Sequence, residues 1–494
     1  MKKIHLIAAM MLAVLALSSC SNMDYKNVIP AHAPLVMEID IRAIAEKSEF
    51  QQSKTMKELQ KNLSLMVSDK DMGTVKEYID NPMSMGLDFS MPVYAFMADM
   101  QTLGLTMKVD DEDAVKDLLL LLNKHGMASK PQEKNEQIRG TLLDDITYTY
   151  NGSTFLLLTS IEKSDDAQMA KLAQRLMSQK EEDCFFYENG FGQRDLYGQV
   201  KLYAKGGNLP KEVMASLLEF LPKSVRPSDV DVVADLNFGK GEVTLTTNLI
   251  AKTDEAQKLI DEANENMSKI EGRYLDKVSD NAVIWMGAGV KGKWLLEKIK
   301  ANKTLNGLLF ASERAVDVGQ MLQAIDGDVS LELSASELDG NKVEHMMYAQ
   351  LDNSKFLADV DDWKESHKDF GIEMKDKGKN QYLLTVDGQM YDWGVLDDDL
   401  YWGTVQAFNQ SKKSTGALLK PYEGKIKRSQ MFLLLNLEAL GRDGGVSSIA
   451  LLSQIWGHYL HIKSIILQSW SANGMALTIE QKNKDENFLK QILQ

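Results

Sequence analysis

Residues 232–263 read VVADLNFGKGEVTLTTNLIAKTDEAQKLIDEA, and residues 464–493 read SIILQSWSANGMALTIEQKNKDENFLKQIL. In each stretch, two apolar alternating runs flank a turn, which is typical of a hairpin of two strands. The pair Asn473-Gly474 is a favoured hairpin turn. A helical pattern follows in both stretches, and Thr253 and Asp254 are candidate caps of the first helix. The same strand–strand–helix unit therefore closes two halves of the chain.

Earlier landmarks repeat in the same order along the chain. Each half opens with an apolar run that leads into a helix, at residues 29–48 and 279–298. A strand followed by an acidic helix start occurs at 103–126 and again at 344–371, and hairpin patterns occur at 146–160 and 391–405. Such self-similarity predicts a tandem duplication.

This order of elements predicts an α+β fold, because hairpins and helices that follow strand pairs do not form a regular β-α-β alternation. We expect two tandem homologous domains at 30–275 and 279–494. Each should be a mainly antiparallel sheet with helices packed on one face.

Residues 1–19 have the parts of a secretory signal peptide: Lys2 and Lys3, an apolar stretch, and small residues before Cys20. The letters LSSC at 17–20 resemble the lipobox of bacterial lipoproteins, whose cysteine is acylated before the leader is cleaved. The resemblance implies that Cys20 is lipidated, that residues 20–29 form a tether, and that acyl chains anchor the chain in a membrane. A plain signal peptide with a chance cysteine and an uncleaved anchor remain as alternatives.

The residue after Cys20 bears on the membrane to which the protein is sent, and the net charge bears on its partners. Ser21, rather than aspartate, follows the cysteine, which among lipoproteins favours the outer membrane; the periplasmic and surface faces both stay open. The formal net charge is −15. Nucleic-acid binding requires a basic footprint, so we expect no nucleic-acid partner.

Gly287, Gly289 and Gly292 match the G-x-G-x-x-G spacing of dinucleotide sites. The matched segment of the first half lacks these glycines, and no apolar strand ends at a suitable acid about 20 residues further on. We therefore expect no cofactor and interpret the glycines as a permissive turn between a strand and a helix. On this interpretation Gly292→Ala is neutral or mildly stabilising.

Other candidate groups are expected to be structural. Cys184 lies among acids that disfavour a thiolate nucleophile. Clustered carboxylates at 397–399 suggest calcium, but a solvated hairpin turn fits better. His458 and His461 lack a second ligand pair, so no metal is expected. Methionines crowd residues 66–107, where copper binding, a protein-binding groove and irregular core packing are all possible.

All seven tryptophans lie in the second half of the chain. If a hairpin turns at Asp397-Asp398, Trp393 and Trp402 become cross-strand partners on one face with Val395 and Leu400. A sugar-binding surface made of Trp393, Trp402, Tyr401 and Asp398 is one interpretation. A buried core face is the other, since aliphatic residues share it.

The sequence also resembles a family of uncharacterised lipoproteins from gut-type Gram-negative anaerobes, catalogued as domain of unknown function forty-eight thirty-six. The resemblance rests on LSSC, the short tether, and VIPAHAPLVMEID at 28–40 followed by IAEKS. It supplies no known active site to carry over and leaves the activity open. We expect a non-catalytic outer-membrane lipoprotein that serves as a binding or assembly module for an envelope partner. A glycan-binding lipoprotein and an enzyme with unrecognised carboxylate chemistry are the alternatives.

Overall fold

The computed structural model describes residues 24–493 except 65–66, 135–136, 144, 162–165, 190–195, 219–220, 302–305, 308–315, 336–342, 367–371, 387 and 441–460. The described chain forms two compact units. The first contains residues 24–216, 226–252 and 484–493, and the second contains 217–225 and 253–483.

The first unit is built on an antiparallel sheet. Its described strands are β1 (Leu35–Ile39), β2 (Val93–Met97), β3 (Thr102–Lys108), β4 (Gln132–Lys134), β5 (Gln137–Leu142), β6 (Ile146–Tyr150), β7 (Thr154–Ser160), β8 (Val200–Lys205), β9 (Val230–Phe238) and β10 (Glu242–Ala251). Their order across the sheet is β4-β5-β6-β7-β3-β2-β1-β8-β9-β10.

The second unit is built on a sheet of the same kind. Its described strands are β11 (Met267–Ser268), β12 (Ala282–Lys291), β13 (Ile325–Ala335), β14 (Val343–Leu351), β15 (Glu373–Gly378), β16 (Gln381–Val386), β17 (Gln389–Leu396), β18 (Asp399–Thr404), β19 (Met431–Asn436), β20 (Ile462–Ser471) and β21 (Gly474–Gln481). The order is β15-β16-β17-β18-β14-β13-β12-β19-β20-β21, and the short β11 pairs with the end of β12.

The two strand orders match position by position. β1 of the first unit corresponds to β12 of the second, and the hairpin β6–β7 corresponds to β17–β18. The α+β class and the duplication are therefore confirmed by topology as well as by pattern.

The described helices of both units are, in chain order, α1 (Ile41–Ser48), α2 (Lys54–Ser64), α3 (Asp69–Asp80), α4 (Glu112–Lys124), α5 (Asp166–Met177), α6 (Phe185–Asn189), α7 (Lys211–Leu217), α8 (Asp254–Glu265), α9 (Gly292–Ala301), α10 (Val318–Gln323), α11 (Val360–Ser366), α12 (Val405–Ser411), α13 (Glu423–Ile426), α14 (Leu437–Leu440) and α15 (Phe488–Leu493).

Helices cover both faces of the first sheet, where the sequence led us to expect one. Phe155 and Leu157 of β7 pack in a core with α4, while Leu156 and Leu158 pack in a second core with α5. A strand that is apolar at successive positions buries both of its faces, so it needs cover on each side.

The units do not follow the contiguous split at 275/279. Thr253 caps α8 by accepting a hydrogen bond from the backbone N–H of Ala256, but α8 belongs to the second unit although it follows β10. In return, α15 belongs to the first unit, where it packs on α1. There Lys490 forms an ion pair with Glu49 at 3.0 Å.

Candidate functional site

The backbone forms the hairpin that was predicted for the aromatic residues. Trp393 pairs with Trp402 across β17 and β18, and Val395 pairs with Leu400. Asp397 and Asp398 have φ values of 51° and 64°, which is the left-handed pair that a two-residue type I′ turn requires. This part of the sequence prediction is confirmed.

The side chains of that hairpin do not form one exposed surface. Trp393 is 0 % exposed and stacks on Tyr382 with ring centroids 4.6 Å apart, and the half-buried Trp402 packs against the same core. Tyr401 points to the opposite face, where its ring stacks on Phe408 at 4.6 Å. Only Asp398 is exposed, at the turn. The sugar-binding interpretation is therefore corrected to core packing for Trp393, Trp402 and Tyr401, because a buried ring offers a sugar no face, and Asp398 is a turn residue.

The acids near this hairpin hold a backbone segment. Asp399 accepts hydrogen bonds from Arg273 and from the hydroxyl of Tyr274 at 2.7 Å. Buried Asp328 accepts the backbone N–H groups of Glu271, Gly272 and Arg273 at 2.8 to 2.9 Å. These carboxylates fix residues 271–274 onto the second sheet.

Histidine and acid clusters were the other candidate metal sites. Within the described ranges, no group of three His, Cys, Asp or Glu side chains is arranged to hold a metal ion. His458 lies outside the described residues, and His461 has a positive φ of 51° and accepts a backbone hydrogen bond from Lys482.

The three glycines serve close packing. Gly287 and Gly289 lie inside β12, and Gly292 begins α9. A Cβ at Gly292 would lie 1.8 Å from the carbonyl oxygen of Leu322, and a Cβ at Gly287 would lie 2.6 Å from the Trp285 ring. The expectation that Gly292→Ala is neutral is therefore wrong, since the α10 backbone occupies the space of the missing side chain.

Three exposed apolar side chains lie together at one end of the first sheet. We call Met100, Leu103 and Ile161 the apical patch; they are 56 %, 42 % and 61 % exposed. The backbone N–H of Ile161 donates to Gln101 at 2.8 Å, which fixes the end of β7 beside the loop between β2 and β3.

The shape of that loop is fixed by the side chain of one of its residues, Asp99. One carboxylate oxygen of Asp99 accepts the backbone N–H groups of Gln101 and Thr102 at 2.9 and 2.8 Å. The other methionines of the 66–107 run that the structure describes are buried or half-buried, as core packing predicts. Met100 departs from that pattern, and spacing alone gave no signal for it.

The segment that begins at Tyr25, five residues after the predicted lipidation site, is part of the core of the first unit. Cys20 itself lies outside the described residues. Tyr25 is buried, its hydroxyl donates to the Pro92 carbonyl at 2.8 Å, and its own carbonyl accepts from Thr106 at 3.0 Å. Burial raises the pKa of Tyr25 strongly. The predicted tether of residues 20–29 is therefore corrected at its end: Tyr25, Val28 and Ile29 belong to the core of the unit.

Cys184 is buried beside this segment, and its backbone pairs with Pro30, as expected for a structural thiol.

A recess between α5 and strands β5 and β6, lined in part by Arg139 and Gln174, has a volume of about 10 Å³. This is room for one water molecule and not for a metabolite.

Comparison with known proteins identifies the family of the chain. Residues 25–442 match the family described as Domain of unknown function (DUF4836). The chain belongs to this family. No curated protein matches it.

Among solved structures, crystal forms I and III of TP0453 are similar at 14 % and 15 % identity. They cover 50 % and 51 % of this chain and 87 % and 90 % of their own, each with a TM-score of 0.29. Within the part of the chain that the structure describes, no helix is both long and apolar enough to cross a bilayer.

Proposed function

We propose that this DUF4836 protein is an outer-membrane lipoprotein, anchored through acylated Cys20, that binds another envelope protein and has no catalytic role. The apical patch is the observation that carries the binding role. Its three side chains are apolar and exposed, and the end of β7 and the loop before β3 bring them to the same end of the sheet. Clustered apolar groups of this kind mark interaction sites more often than isolated surface residues do.

The patch suits recognition because its backbone does not have to be ordered on binding. The hydrogen bonds of Asp99 preorganise the loop, so less conformational entropy is lost when a partner covers Met100. A methionine at the tip adapts to an irregular apolar surface. The chemistry therefore favours a protein partner with an exposed apolar surface.

The glycan-binding alternative has less support, because burial of Trp393 and Tyr401 removes the aromatic surface on which it rested. An enzyme with carboxylate chemistry is a weaker alternative still. Asp328 and Asp399 are engaged with backbone, arginine and tyrosine groups in structural roles. A hydrolase screen of the mature protein tests that alternative directly.

Membrane anchoring is tested by two cysteine substitutions. Cys20→Ser should move the protein from the membrane fraction to the soluble fraction and abolish labelling with an alkyne fatty acid. Cys184→Ser, the matched control, should leave both unchanged. Retention of the Cys20→Ser protein in the membrane would contradict the anchor.

Partner binding is tested by crosslinking in intact cells, followed by purification of the lipidated protein. The double substitution Met100→Lys and Ile161→Lys should remove the crosslinked partner, because two ammonium groups would lose their hydration when the partner covers them. Met390→Lys is the matched control, since Met390 is 51 % exposed and lies on the second unit. Recovery of the same partner with the double variant would reject the apical patch as the binding surface.

A further inference from the structure

We propose that one end of the first sheet rests on the membrane surface and that Tyr187 and Tyr197 contact the lipid headgroups there. We call this the tether end; it is the end at which β1 finishes and β2 and β8 begin, where Ile39 pairs with both Val93 and Val200. The inference rests on the proposed lipid anchor at Cys20 and adds the orientation of the protein and its lipid contact.

The length of the tether limits how far this end can lie from the bilayer. Cys20 and Tyr25 are five residues apart, and a fully extended chain of that length spans at most about 18 Å. Tyr25 is fixed at the tether end, because its hydroxyl binds the carbonyl of Pro92, the residue that precedes β2. The tether end therefore cannot leave the surface layer of the membrane while Cys20 is anchored.

The opposite end of the same sheet carries the apical patch. Thr106, which donates to the carbonyl of Tyr25, is four residues along β3 from Thr102, or about 13 Å at the rise of a strand, and Met100 lies beyond Thr102 in the loop between β2 and β3. With the tether end on the membrane, the patch points away from it and stays available to a protein partner.

Two highly exposed tyrosines lie at the tether end. Tyr187 is 68 % exposed and follows Phe186, whose ring lies 5.1 Å from that of Tyr94 in β2. Phe186 also receives the ammonium group of Lys26 at 4.6 Å, directly beside the tether. Tyr187 is thus adjacent to the point where the chain enters the unit.

Tyr197 is 80 % exposed and lies just before β8. The carboxylate of Asp235 accepts the backbone N–H groups of Tyr197 and Gly198 at 3.0 Å, so its position is fixed. Two strand spacings, about 10 Å, separate the start of β8 from the start of β2. Tyr197 therefore lies at the tether end, as Tyr187 does.

The chemistry of tyrosine fits a headgroup layer. Its ring is apolar and its hydroxyl needs a hydrogen-bonding partner, and this combination is enriched at membrane–water interfaces. Because the chain carries a net charge of −15, attraction to anionic lipid cannot drive the contact. The expected occupant is a largely zwitterionic bilayer surface held close by the acyl anchor.

The test uses the full lipidated chain in vesicles of phosphatidylethanolamine with a minor fraction of phosphatidylglycerol. Tyr187→Cys, Tyr197→Cys and the control Met100→Cys each provide one exposed thiol for an environment-sensitive fluorophore, since Cys20 is acylated and Cys184 is buried. A quencher attached to the lipid headgroup is then introduced. Emission should be lost at positions 187 and 197 and retained at 100.

The outcomes separate this inference from the proposed function. Vesicle flotation is measured on the same samples, and a chain that fails to float rejects the Cys20 anchor and the inference with it. A chain that floats while the labels at 187 and 197 keep their emission leaves the anchor intact and overturns the inference. Equal quenching at all three positions overturns it as well, because the unit would then have no preferred orientation.

Discussion

Replacing Gly292 by alanine should destabilise the second unit, whereas the same change at Gly73 should stabilise the first. The new Cβ at 292 would lie 1.8 Å from the Leu322 carbonyl oxygen and 2.9 Å from that of Ile325, and neither backbone group can rotate away. Overpacking costs about 1–3 kcal/mol, and a clash with backbone puts this change near 3 kcal/mol. A Cβ at Gly73, within α3, meets no atom within 4 Å, so the gain in helix propensity should give about 0.5–1 kcal/mol.

The assay exploits the distribution of tryptophan. All seven tryptophans lie within residues 253–483, so thermal unfolding followed by tryptophan fluorescence reports the second unit alone. A loss of about 3 kcal/mol corresponds to a midpoint lowered by about 6–12 °C for a unit of this size. For the Gly73→Ala protein, thermal unfolding of the first unit is followed by circular dichroism, and its midpoint temperature should be higher than in the wild type. A Gly292→Ala midpoint equal to or above that of the wild type would refute the close-packing argument and restore the permissive turn.

Two further substitutions test polar contacts. Asp328→Ala should lower the fluorescence-detected stability of the second unit by about 3 kcal/mol, because three backbone N–H groups lose a charged acceptor. Asp326→Ala, at an exposed position, is the control. Equal losses of stability in the two variants would contradict the role of Asp328. Hydrogen bonds from Lys124, then Ser68 and His125, lower the pKa of Asp71 to about 2. A carboxylate with a lowered pKa stabilises the fold above its unfolded pKa of about 4, and that stability is lost as the pH falls towards 2. In Asp71→Asn the fall in the urea midpoint of the first unit between pH 4 and 2 should therefore be smaller, while Asp80→Asn should behave as the wild type does.

The repeated elements could be predicted from the sequence because their signals are local. Alternation of apolar residues and the Asp397-Asp398 pair determine a hairpin without reference to the rest of the chain. The cap at Thr253 is likewise set by residues within one turn. Since the same local signals recur in order, the duplication followed from them.

The functions of the glycines and tryptophans depend on distant residues and could not be predicted in this way. Whether Gly292 needs to be glycine depends on the carbonyl of Leu322, which lies in a different helix. Whether Trp393 is a binding surface depends on the cover provided by Tyr382 and Trp363. The apical patch was equally hidden, because Met100 stands in a run of methionines that mostly fill cores.

The placement of α15 has a consequence for how the protein is made. Phe50 and Met56 belong to a small hydrophobic cluster of the first unit, and Leu493 of α15 packs against it. After the ribosome has added Ala251, about 240 more residues must follow before Phe488 appears, which takes on the order of 10–50 s at about 5–20 residues per second. Until then this cluster lacks its contact with Leu493, so its apolar side chains stay accessible to chaperones and proteases. A messenger truncated between the two halves would therefore yield a substrate for degradation and not a half-length working protein.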